Sequence, residues 1–159
     1  MSNNTVAVAQ CGGSFENTAP AIDHFSATLT GRTQTVDAAV GPWSVTDATG
    51  SNTGYVVTVA ATAPEVNGST NAAGTGGSLT LTTTNAEKVA GNPATTGPVT
   101  GAPQILSTTA VSVATAAVNA GQGKWSFPSA GNLAIRIPGD VSAGAYESTL
   151  TFTTAPPAT

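Results

Sequence analysis

Side chains able to do covalent or acid–base chemistry are scarce in this chain, and their spacing suits none of the common mechanisms. His24 is the only histidine and Cys11 the only cysteine. Neither lies in a sequence that resembles an activated nucleophile, so His24 reads as a structural histidine and Cys11 as a buried or inert thiol. A single thiol builds no internal disulfide framework. Zinc sites draw roughly three or four protein ligands, which one histidine and one cysteine do not supply.

The eight carboxylates, Glu16, Asp23, Asp37, Asp47, Glu65, Glu87, Asp140 and Glu147, are scattered along the chain. Glycoside hydrolysis needs two carboxyls facing each other across a cleft, and no spacing here sets up such a pair. A carbohydrate-active enzyme would have to rest on Asp47 and Asp140. Asp47 could also offer Ca²⁺ an oxygen site together with Asn52 and backbone carbonyls. With one carboxylate and no EF-hand spacing, a turn bonded to itself is the better reading. The expectation is a protein that is not an enzyme, with no catalytic residue, cofactor or metal. Two N-x-S/T sequons, at Asn3 and Asn67, are weak signals.

Aromatic side chains are the remaining candidates for ligand contact. Trp43, Tyr55, Trp125, Phe127, Tyr146 and Phe152 could form a sugar-stacking platform, and Tyr55, Trp125 and Tyr146 are the positions proposed for it. Each also falls on the apolar side of an alternating run. With aromatics at only 5% of the chain, the core needs them.

The elements that must position these residues are strands. In residues 43–59, Trp43 and Val45 alternate with Ser44 and Thr46, and Tyr55, Val57 and Val59 alternate with Val56 and Thr58. Strand side chains point to opposite faces with period two, so each run has one apolar face. The Gly-, Asn- and Asp-rich stretch between them favours a turn, and a β-hairpin with a long loop is expected. Further alternating runs occupy residues 5–9, 25–30, 78–84, 107–117, 125–127, 133–137 and 146–153, with another strand starting within 33–36. Residues 64–77 and 85–104 read as connections, the latter from Pro93, Pro98, Pro103 and several glycines. Short strands separated by turns predict an all-β, antiparallel β-sandwich, Ig-like, with little or no helix. An N-terminal strand or arm over residues 1–14 would precede one sandwich domain over 15–159.

Composition narrows the function class. Charged residues make up 8% of the 159, against about 25% in ordinary soluble domains, so Thr, Ser, Asn, Gly and Ala must cover the surface. A net charge of −4 with only Arg32, Lys88, Lys124 and Arg136 as basic residues argues against nucleic acid or anionic lipid as partner. No apolar run approaches the roughly 20 residues of a membrane helix. The first fifteen or so residues lack the basic and apolar regions of a signal peptide.

Three stretches resemble the WxL family of Gram-positive surface proteins, in its actinobacterial style. Residues 43–50 (WSVTDATG) with 54–59 (GYVVTV) are similar to the family's W-T-V-T-D-x-R-G…G-W-x-x-T-V. Residues 134–138 (AIRIP) with 143–146 (AGAY) are similar to L-x-V-x-V-P…A-G-x-Y. Tyr146 and Leu150 keep the Y-x-x-x-L spacing. Tyr55 stands where the family has its first signature Trp, Phe152 where it has the second, and Thr154 where it has Leu. The resemblance frames residues 36–154 and implies an all-β domain without catalysis, attached non-covalently to peptidoglycan or to partner surface proteins.

Two expectations for function follow. The first is a non-enzymatic coat protein of a virion surface, of the phage head-decoration type, with copies of itself and a capsid as partners. The alternative is a WxL-like peptidoglycan-binding domain whose partner is the cell wall and, through it, carbohydrate.

Overall fold

A computed structural model describes residues 13–22, 26–64, 77–128 and 131–157. Twelve strands and no helix occur among them. They form three antiparallel four-stranded sheets that share one apolar core, so the expected β-sandwich class is borne out.

The first sheet contains β1 (Phe15–Thr18), β3 (Trp43–Asp47), β10 (Gly123–Phe127) and β6 (Glu87–Ala90), in that order. The second has the order β2 (Gln34–Val40), β11 (Gly131–Ile137), β5 (Ser78–Thr82) and β8 (Gln104–Leu106). The third has the order β12 (Leu150–Ala155), β4 (Tyr55–Ala61), β9 (Val111–Ala116) and β7 (Val99–Thr100).

Alternation in the sequence becomes alternation in burial. Trp43, Val45 and Asp47 of β3 are buried while Ser44 and Thr46 are not, and β4 buries Tyr55, Val57, Val59 and Ala61 on one face. Leu79 and Leu81 of β5, Trp125 and Phe127 of β10, and Leu133 and Ile135 of β11 complete the pattern. In β9 the register shifts opposite Val57 and Thr58, which places Val113 and Ala114 both inside. A β-bulge is how a strand turns two successive residues to one side.

The expected hairpin at residues 43–59 is corrected. Its two strands exist, but β3 pairs with β1 and β10, whereas β4 pairs with β12 and β9. Residues 48–54 therefore arch from one sheet to another. Both strands turn their apolar faces into the same core, and a period-two pattern is equally satisfied by pairing side by side or facing across it.

Other differences follow from the same non-locality. Residues 26–30 are exposed and not in a strand, although they alternate, because no strand among the described residues pairs with them. The connection expected at 85–104 holds β6, β7 and the start of β8, short edge strands too polar to announce themselves. The strand expected over 107–117 is confined to β9. The last strand starts at Leu150 and not at Tyr146, and it runs on to Ala155 along the margin of its sheet. Residues 5–9, Cys11, His24, Phe25 and most of 64–77 lie outside the described residues.

Candidate functional site

The arch between β3 and β4 holds the residue singled out for metal or acid–base chemistry. Asp47 is only 5% exposed. Its Oδ1 accepts hydrogen bonds from the Thr49 amide at 3.0 Å and the Thr49 hydroxyl at 2.7 Å. The Thr49, Ser51 and Thr53 hydroxyls then continue as a chain, at 2.9 and 3.0 Å. Asn52, at φ 56°, accepts the Asn119 amide on its carbonyl and the Gln122 side chain on its Oδ1. The loop bonds to itself and to the neighbouring 117–122 segment, as the turn reading expects. Asp140, the other carboxylate weighed, is exposed on a different connection. No group of three or more His, Cys, Asp or Glu able to hold a metal occurs among the described residues.

The three aromatic candidates are not brought together as a platform. Tyr55 is fully buried, with Phe15 set edge-on at 5.7 Å and Gly121 packed against its ring. Burial, and next the nearby Asp47 charge, hold the Tyr55 hydroxyl proton well above the usual phenol range. Trp125 is also buried, and its Nε1 donates to the Gln122 carbonyl at 3.2 Å. Gly97 lies so close over its ring that a Cβ there would come within 2.5 Å. Lys88 Nζ sits 4.8 Å from the same ring centre. Tyr146 is half-buried, and its hydroxyl donates to the Ser142 carbonyl at 2.7 Å, tying down the segment before β12. Tyr55 and Trp125 fill the core, the role that the scarcity of aromatics favoured over sugar stacking. Trp43, Tyr55, Trp125 and Phe127 lie in the core.

A different set of residues forms a surface site. On the outer face of the first sheet, register aligns Thr18, Ser44, Ser126 and Glu87 in one row. Glu16, Thr46, Lys124 and Ala90 form the next. These are the outward partners of the buried Trp43, Val45, Trp125 and Phe127. Thr18, Ser44, Ser126 and Lys124 line an open groove of about 290 Å³, with Pro42, Trp43 and Val89 also around it. The Ser44 hydroxyl lies 3.4 Å from that of Thr18. No carboxylate or carbonyl partners the Lys124 ammonium among the described residues. Sequence reasoning missed this set. Its only signal was the outward half of the alternation, which looks the same on every strand.

Such a surface presents hydroxyls and one ammonium to solvent. The architecture defines an all-β domain with a shallow polar groove on its first sheet. The family model described as WxL domain surface cell wall-binding matches residues 16–156, from β1 to the end of β12, and the chain belongs to that family. No match was found among curated proteins or among solved structures.

Proposed function

We propose that this chain attaches a surface protein non-covalently to the cell wall, and that it works by binding, without catalysis. The family match over residues 16–156 carries this reading, and it favours the wall over the virion surface also considered from the sequence. The polar groove on the first sheet supports it locally. Cell-wall glycan is rich in hydroxyl and amide groups, and outward Ser and Thr side chains in register can exchange hydrogen bonds with such a polymer. Sugar stacking on Tyr55 or Trp125 is not part of the reading, since both rings are buried. The test is co-sedimentation of the purified protein with peptidoglycan sacculi. Saturable binding is expected, and a protein that stays in the supernatant at all concentrations refutes the proposal.

A further inference from the structure

Resting on the wall-binding reading, we infer that Lys124 is the specificity-determining contact of the groove. Its ligand is a carboxylate carried by an otherwise neutral, hydroxylated polymer, as in the stem peptides of peptidoglycan.

The register supplies the argument. Lys124 stands on β10 between Thr46 on β3 and Ala90 on β6, so neither cross-strand neighbour neutralises it. It is exposed, and it lines the groove together with Ser126, two residues along the same strand face. An ammonium is a compact point charge with three donors and suits a single acidic group approached from several directions. Ser126 and Ser44 lie alongside to bond the neutral part of the chain. Val89, 57% exposed, gives the groove an apolar side against which a methyl group can pack.

The flanking carboxylates decide which kind of anion fits. Glu16 lies two strands from Lys124 in the same row, and Glu87 is opposite Ser126 in the adjacent row. Glu87, diagonal to Lys124 on the neighbouring strand, lies roughly 7–8 Å away and Glu16, two strands off, roughly 10 Å, against a screening length of about 8 Å in physiological salt. A polymer with closely repeated phosphates would bring its next charges towards these carboxylates. An isolated carboxylate on a neutral backbone would not. Charge complementarity therefore selects the peptidoglycan itself over the phosphodiester polymers attached to it.

The experiment is quantitative co-sedimentation with Gram-positive sacculi, intact and after hydrofluoric acid has removed phosphodiester-linked polymers. The whole chain is compared with Lys124→Gln, Lys124→Arg and Ser126→Ala, each checked for an unchanged thermal melt. The wild type should bind both preparations and weaken with added salt. Lys124→Gln should bind both about 10-fold more weakly, as expected for loss of a charge-assisted hydrogen bond, and Lys124→Arg should keep most of the affinity. Wild-type binding that disappears on acid-stripped sacculi overturns the inference in favour of a phosphodiester ligand. Undiminished binding by Lys124→Gln overturns it and leaves wall attachment standing. A wild type that binds neither preparation removes the wall-binding reading itself.

Discussion

Trp43 and Phe127 face each other across β3 and β10 with ring centres 3.7 Å apart and planes within 4° of parallel. Phe152, from the third sheet, closes on the Trp43 ring at 5.4 Å. This cluster joins the first sheet to the last strand of the domain. Truncating Phe127→Ala should cost about 3–5 kcal/mol, the usual loss for a buried aromatic. Urea denaturation followed by Trp fluorescence measures it, and a loss under about 1 kcal/mol would show that the stack contributes little.

Tyr55 allows the ring and its hydroxyl to be separated. Among the described residues its buried Oη has no hydrogen-bond partner, so Tyr55→Phe should leave stability unchanged or slightly raised, while Tyr55→Ala should unfold or severely weaken the domain. Thermal melts of the two variants decide this. A marked loss in Tyr55→Phe would mean that the hydroxyl is bonded in solution.

The same residue sets an alkaline limit. The folded state holds the Tyr55 proton more tightly than the unfolded chain, where a phenol titrates near about 10. Below that pH both states keep the proton and stability is unaffected. Above it the unfolded state binds fewer protons than the folded one, so stability falls as pH rises. Urea midpoints from pH 8 to 11.5 should drop at the alkaline end, and less so in Tyr55→Phe. Identical profiles would place the loss at other groups.

Gly54 enters β4 at φ +76°, and a Cβ there would lie 2.2 Å from the Ala116 carbonyl oxygen. Gly54→Ala should therefore cost at least about 1–3 kcal/mol, the strain of a non-glycine residue held in that region. Gly31, at φ +69° with open space around it, is the control and should lose less. Chemical denaturation of the pair compares collision plus strain with strain alone.

Lys88 folds the 92–97 segment over Trp125. Its ammonium donates to the Asn92 carbonyl and, at 2.8 Å, to the Thr95 carbonyl. Lys88→Met keeps the aliphatic stem and removes the charge, and it should destabilise by about 1–2 kcal/mol. Hydrogen exchange should quicken at the Thr95 amide, which donates to the Asn92 carbonyl. Unchanged exchange there would show that Gly97 and the Trp125 ring hold the segment without the lysine.

Much of the interior was legible in the amino-acid order. Trp43, Val45, Tyr55, Val57, Val59, Trp125, Phe127, Leu133 and Ile135 were all assigned to apolar strand faces, and all are buried. The self-bonded turn at Asp47 was legible too, because an Asp with Thr two residues on can close its own hydrogen bonds. The polar groove was not legible. Ser44, Ser126 and Lys124 are unremarkable outward residues until β10 is set beside β3.

By itself, then, the sequence determined which residues point inward, that the fold class is all-β, and, through its matching stretches, the family. Side-chain alternation is a property of a single strand, written over a few consecutive residues. Only the tertiary structure decided that residues 48–54 bridge two sheets, that 26–30 form no strand, and that Lys124 shares a groove with Thr18. Which edge a strand pairs with depends on segments as far apart as β1 and β12, whose Asn17 side chain and Phe152 carbonyl meet at 3.2 Å. No local pattern encodes that choice, since an apolar face is buried equally well by a neighbour in its own sheet or by one across the core.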